Sequence, residues 1–299
     1  MYRYQWRRIM KIKIFQKGFN YSQDGQGNRL IFHLQGCNMK CPWCSNPEGM
    51  PLEGAIMVDK DWLTESCCPK GAVKDGELDR SICAVCEDRP CTQRRRQKGI
   101  RLSYKEYEVD DVVKECIASK AMFFDGGGVT LTGGEVSMQF EAVKELLTKL
   151  GEAGIHRAIE TNGTHPRMEE YIPLVDQWIM DVKHYDEEKH KEWLGVPLNR
   201  TVETLRKVSD KHTNMLVRVP LMPGFNDSQE DAENMAKMFV EHMNCENAKV
   251  EFLTYHEFGK GKYEQCGMEY RMPAGRVAPG TAAYFEKIMK QYGIKCVRT

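Results

Sequence analysis

Apolar and polar positions follow two periods along most of this chain. Short apolar runs at 30–34, 128–132, 158–161, 178–182, 215–219 and 250–253 predict strands. Between them, apolar residues recur at helical spacing. That spacing predicts a helix over 111–120, capped by Asp110, with Val112, Val113, Cys116 and Ile117 on one face. It predicts another over 139–150, ending near Gly151 and Gly154, and a weak one over 168–174 with Pro173 near its end. Further helices are expected over 187–194, 201–211, 229–243 and 284–292, and a short closing strand at 295–297. Six alternating strand–helix units imply parallel strands joined by right-handed crossovers. Six units suit an α/β barrel left open on one side. A flavodoxin-like open sheet is the alternative from periodicity alone.

The periodicity stops between about 52 and 99, where Cys, Asp, Glu, Lys and Arg dominate. Such a stretch reads as an insert tied by metal. The expected division is 1–51 with 101–299 as the main domain and 52–100 as the insert. A chain of 299 residues can bury one large core. Its 43 basic and 43 acidic residues cancel, so bulk nucleic-acid binding is not expected. No apolar run approaches the ~18 residues of a membrane helix. The opening 1–10 stretch has arginines but no apolar h-region, so no secretory leader is expected, and Met10 is a second candidate start beside Met1. Twelve cysteines without a leader argue for metal ligation in a reducing, anaerobic cytoplasm. A monomer is expected.

The strand expected at 30–34 runs into Gly36-Cys37-Asn38-Met39-Lys40-Cys41-Pro42-Trp43-Cys44. Three thiols at this spacing can wrap one face of an iron–sulfur cube, for which thiolates are the preferred ligands. Three protein ligands leave one iron open to a substrate, the logic of an open catalytic metal position. Zinc, or burial of free thiols, is the alternative. In parallel α/β folds the reactive groups sit on the loops after strands. Polar residues recur at that point here. They are Thr132-Gly133-Gly134-Glu135, Glu160-Thr161-Asn162-Gly163, Asp181 with Lys183 and His184, Arg218, and Thr254-Tyr255-His256. Singly, each has a bland reading: G-G-E as a turn, Asp181 as a strand-end cap or ion pair, His256 as a structural histidine. The recurrence is the stronger argument.

Cys37-x-x-x-Cys41-x-x-Cys44 resembles the signature of the radical S-adenosylmethionine (SAM) enzymes. Asp24-Gly25-Gln26-Gly27-Asn28-Arg29 resembles the D-G-P-G-x-R of one branch, the glycyl-radical enzyme activating enzymes, with Gln26 at the proline position. Gly126-Gly127-Gly128-Val129-Thr130, Lys183-His184-Tyr185-Asp186 and Arg218-Val219-Pro220 are similar to the same branch, the pyruvate formate-lyase activating enzyme included. The likeness covers about 18–49 and 108–294, without the insert.

The resemblance implies a partial (β/α)6 barrel with a [4Fe–4S] cluster on Cys37, Cys41 and Cys44. It implies that the open iron chelates SAM, and that an electron cleaves SAM to methionine and a 5′-deoxyadenosyl radical. That radical would take hydrogen from a backbone glycine of a partner glycyl-radical enzyme. The implied site residues are Gly133, Gly134 and Glu135 for the SAM ammonium, Lys183 for its carboxylate and His256 for its adenosine. Asp181 belongs to a monovalent cation site in that branch, with Glu160 and Thr161 matching its D-T pair, Glu for Asp.

Many activating enzymes carry a ferredoxin-like insert here, with two further [4Fe–4S] clusters on eight cysteines. This chain offers Cys67, Cys68, Cys83, Cys86 and Cys91. The economical expectation is one auxiliary [4Fe–4S] cluster on Cys68, Cys83, Cys86 and Cys91, with Cys67 as a substitute, against structural zinc on the same four. Arg89, Arg94, Arg95, Arg96, Lys98 and Arg101 form either a solvated basic face or a docking patch for an acidic electron donor, a flavodoxin or ferredoxin. The alternative function is a radical SAM enzyme acting on a small molecule or peptide. A plain electron-transfer protein would not need the strand-end residues.

Overall fold

The computed structural model describes residues 9–93, 98–212, 214–273 and 275–299. In chain order, β1 (Lys11–Tyr21) and β2 (Asn28–Leu34) form a hairpin. The cysteine-rich stretch holds β3 (Ile56–Val58), β4 (Val73–Lys74), β5 (Glu77–Leu78), α1 (Arg80–Ala84) and β6 (Ile100–Leu102). Then come β7 (Lys105–Glu108), α2 (Val109–Ala118), β8 (Gly128–Gly133), α3 (Phe140–Glu152), β9 (Arg157–Thr161) and β10 (Gln177–Asp181). The remainder is α4 (Glu187–Leu194), α5 (Asn199–Lys211), β11 (Met215–Leu221), α6 (Gln229–His242), β12 (Ala248–Thr254), α7 (Lys260–Cys266) and α8 (Thr281–Gln291).

β2, β8, β9, β10, β11 and β12 pair side by side in that order, all parallel. This is the expected open (β/α)6 barrel, with β12 at one end of the sheet. β1 and β7 extend the other end, antiparallel. The apolar pattern does not predict β1, because only Ile12 and Ile14 of its eleven residues are buried. The closing strand at 295–297 shrinks to one bridge, Cys296 beside Val250.

Two local expectations are corrected. α2 begins two residues earlier than Asp110 would cap it: Glu108 is the N-cap, without a side-chain bond, and Asp110 and Asp111 lie in the first turn. There they face the positive end of the helix dipole. Ile117 is exposed, and the buried face is Val109, Val112 and Cys116. The 168–174 stretch is a 3-10 helix running through Pro173.

Alternation along the strands divides two environments. Leu30, Phe32 and Leu34 join the core under the helices. The intervening residues face the barrel interior, which is polar: Arg29 Nε donates to Thr130 Oγ1 at 2.7 Å, and Arg218 meets Glu160 and Glu251. A polar interior is costly to fold and needs mutual pairing, so these residues do something other than stabilise.

In the cysteine-rich stretch β3 pairs antiparallel with β6, and β4 with β5. Val58, Leu63, Cys67, Val73, Cys91 and Ile100 bury a small core. Met57 packs on Cys266 of α7, and Arg80 donates to Gln265 O at 2.9 Å. The Met1 start and Arg94, Arg95 and Arg96 lie outside the described residues.

Candidate active site

Backbone bonds close the neck of the cysteine loop: Gly36 N to Gly49 O at 2.8 Å and Cys37 N to Met50 O at 2.9 Å. Trp43 anchors its far side against Phe225 and Trp193, with ring centroids 5.0 and 6.2 Å away. Tyr263 Oη donates to Cys41 O at 3.2 Å, so α7 holds the loop from below. These contacts hold the loop without calling on its thiols. Cys37, Cys41 and Cys44 line one cavity of ≈ 360 Å³ at the carboxyl ends of the parallel strands. Burial pushes all three thiols up, Cys44 to about 12, and the neighbouring thiols add to the effect at Cys37 and Cys44. Grouped thiols this hard to ionise become thiolates when a metal supplies the counter-charge. Among the described residues no three His, Cys, Asp or Glu side chains converge on a single ion. In a cube each thiolate takes its own iron, so the ligands need not converge on a single ion.

Gly133 and Gly134 also line the cavity. Gly133 has φ +118°, and a Cβ on Gly134 would stand 2.1 Å from Gly36 O. Only glycine lets this strand end close on the cysteine loop, so the G-G pair is built in by sterics as well as by ligand access. Glu135 is placed differently from the expectation. Its carboxylate is absent from the cavity lining and accepts four hydrogen bonds: Ser137 N and Oγ, Thr161 Oγ1 and Asn162 N. Burial still pushes its carboxyl upward against those donors. Its side chain ties β8 to β9, which leaves the Gly133 and Gly134 backbone to face the cavity.

Asp181 and Lys183 line the cavity together, Nζ to Oδ2 at 2.7 Å. Burial opposes the Lys183 charge, but Asp181 and the nearby Cys41 and Cys37 outweigh it and the net shift is upward. Lys183 is thus a buried, permanent cation beside the cysteine loop. Glu160 lines the same wall. Burial favours its neutral form, yet Arg218 and the Thr132 hydroxyl reverse that and hold it below the usual carboxylate range. Thr161 Oγ1 turns to Glu135 at 2.7 Å. Glu160, Thr161 and Asp181 are therefore each engaged by protein partners.

His256 sits exposed at the cavity rim, stacked on Phe258 with ring centroids 4.2 Å apart. Tyr255 is buried below it and bonds Tyr270, Oη to Oη at 2.5 Å. The structure brings in residues the sequence reading gave no role: Asp24, His33, Met39 and Asn162 all line the cavity. His33 lines the cavity, and its Nδ1 is buried without a hydrogen-bond partner. Its signal was available, because His33 lies four residues before Cys37 on the inward phase of β2. Asn162 Nδ2 bonds Asn38 Oδ1 at 3.0 Å, linking the β9 loop to the cysteine loop.

In the insert, Cys68, Cys83, Cys86 and Cys91 line one small cavity. Cys67 does not join them. Its Sγ lies 3.6 Å from Trp62 O and packs in the small core.

The family model described as the Radical SAM superfamily matches residues 31–238. The chain is 32% identical over 291 residues to the 4-hydroxyphenylacetate decarboxylase activating enzyme of Clostridioides difficile (strain 630), covering 91% of each. It is 32% identical to the isethionate sulfite-lyase activating enzyme of Desulfovibrio desulfuricans, covering 85% of this chain and 86% of the relative. It is 33% identical to the choline trimethylamine-lyase activating enzyme of Oleidesulfovibrio alaskensis, covering 83% and 84%. The chain belongs to the radical SAM superfamily and, within it, to the activating enzymes of glycyl-radical enzymes. That membership brings SAM and a [4Fe–4S] cluster as cofactors. No helix of the described residues is long and apolar enough to cross a membrane.

Proposed function

We propose that Cys37, Cys41 and Cys44 hold the cluster and that the ≈ 360 Å³ cavity beside them holds SAM, with the glycine loop of a partner enzyme entering at the rim. The observation that carries this reading is the convergence of the three thiols and the strand-end polar residues of β8, β9 and β10 on that one cavity. When bound, the cluster supplies the electron for reductive cleavage of SAM. The chain's own residues orient and shield. The backbone of Gly133 and Gly134 receives the SAM ammonium, Lys183 meets its carboxylate, and His256 closes over the adenosine at the rim. Met39, Met222 and Trp43 give the cavity an apolar side that keeps water out. The protein needs no acid or base of its own for hydrogen abstraction.

Residues 1–51 with 101–299 form the catalytic unit and 52–100 the insert, which carries one auxiliary [4Fe–4S] cluster. A flavodoxin or ferredoxin delivers the electron to a monomeric, cytoplasmic enzyme. Electron paramagnetic resonance tests the central claim. The reconstituted protein, SAM, a reductant and a candidate glycyl-radical enzyme from the same genome should give a glycyl doublet on that partner. Its absence, with SAM turnover intact, would move the substrate to a small molecule or peptide.

Lys183→Met should weaken SAM binding by about 1.5–3 kcal/mol, the worth of a charge-assisted contact, roughly tenfold to a hundredfold. The cluster absorbance should stay as in the wild type, because Lys183 is no ligand. Unchanged SAM affinity would reduce Lys183 to a partner of Asp181.

A further inference from the structure

The resemblance brought a monovalent cation with it, and the side chains present do not accommodate one. A cation is drawn to carboxylate charge that no protein cation neutralises. Glu160 Oε1 takes Arg218 Nη1 at 2.8 Å, and Oε2 takes the Thr132 hydroxyl at 2.5 Å. Thr161 Oγ1 donates to Glu135 and accepts from Gly163 N at 3.1 Å. Asp181 is neutralised by Lys183. Both expected carboxylates are thus neutralised by a protein cation, and the hydroxyl between them is bonded on both sides.

The cause is one residue type. Glu160 lies on β9 and Arg218 on β11, with β10 between them. Asp181 of β10 stands beside Arg218 in register. Glu160 stands beside Ile179, two residues short of that level, so its bond to Arg218 crosses two strand spacings, about 9–10 Å, and also reaches along the strands. An aspartate here would be one methylene shorter, about 1.5 Å, and would fall out of hydrogen-bond reach of the guanidinium. Glutamate makes the bridge.

Arg218 is held in place by partners other than Glu160. Its Nε donates to Glu251 Oε2 at 3.0 Å, its Nη2 to Gln23 O, and its Nη1 also approaches Asp24 Oδ1 at 3.5 Å. Glu251 is itself fixed, its other oxygen accepting from Thr299 N at 2.7 Å. The guanidinium is a planar fork with every arm assigned, and it is permanently charged.

We propose that in this chain the Arg218 guanidinium, bridged to Glu160, supplies the positive charge that a bound monovalent cation would otherwise supply, so that SAM binding requires no added Na⁺ or K⁺. Arg218 is a positioning residue: it holds the Glu160 carboxylate and the Asp24 turn at the cavity wall without touching the reacting atoms. The inference rests on the proposal that this cavity is the SAM site.

The test is SAM affinity of the cluster-loaded wild type, measured by anaerobic calorimetry in potassium, sodium and tetramethylammonium chloride at equal ionic strength. The three affinities should agree within about twofold, whereas a coupled cation site would separate them by about fivefold or more. Such a separation would overturn the substitution while leaving the SAM site in place. No SAM binding in any salt would overturn both. Glu160→Asp supplies the converse arm. With its cluster spectrum intact it should bind SAM at least about fivefold more tightly in potassium than in tetramethylammonium. A folded Glu160→Asp protein indifferent to salt would show that the reach of Glu160 is not the cause.

Discussion

Cys41→Ala abolishes formation of 5′-deoxyadenosine from SAM in the reconstituted, reduced protein. The variant keeps its fold, because the loop is held without the thiol: Cys37 N is bonded to Met50 O, Trp43 is packed on Phe225, and Tyr263 grips the Cys41 carbonyl. Alanine preserves each of those contacts. What is lost is one of three thiolates, and two cannot retain a cube that leaves an iron open to substrate. Cys37→Ala and Cys44→Ala should behave identically, since all three line the same cavity. Cys116→Ala is the control. That thiol is fully buried under α2 in the main core, so its loss should cost some stability and leave SAM cleavage untouched. Detectable 5′-deoxyadenosine from the Cys41→Ala protein would remove the loop from the mechanism.

The parallel strands were legible because each is buried on both faces and reads as a short apolar run. β1 was not legible: β7 covers it only over Lys11–Ile14, and the rest is an open edge of polar and aromatic residues. α7 was hidden as well, since Lys260–Cys266 has only Tyr263 and Cys266 buried. The chemistry followed the same division. Motifs fixed by local spacing, such as Cys37-x-x-x-Cys41-x-x-Cys44, could be read directly. Roles that depend on which way a side chain turns could not. Glu135 and Thr161 face each other across β8 and β9, and Glu160 faces Arg218 two strands away. No sequence separation encodes either meeting, because both depend on how the barrel curves.

The insert is where sequence and structure together make the largest quantitative claim. Cys68, Cys83, Cys86 and Cys91 share one cavity. Burial raises the Cys83 and Cys91 thiols, and repulsion from the neighbouring Cys68 and Cys86 raises them further. Four mutually repelling thiols stay together when a metal centre takes the charge. Cys67 does not line that cavity and packs beside Trp62. The reconstituted wild type should therefore bind about eight irons, and the Cys37/Cys41/Cys44 triple-Ala variant about four, on the rule of four cysteines per cubane. The four-cysteine variant Cys68/Cys83/Cys86/Cys91→Ala should also hold about four, all in the SAM-binding loop. That small core of Val58, Leu63, Val73 and Ile100 is too slight to order the stretch alone. Proteolysis should accordingly cut the four-cysteine variant within 52–100 and spare the barrel. One zinc and no iron in the triple variant would make the insert a structural clip instead of an electron relay. About twelve irons in the wild type would mean that ligands beyond these four cysteines complete a second auxiliary cluster.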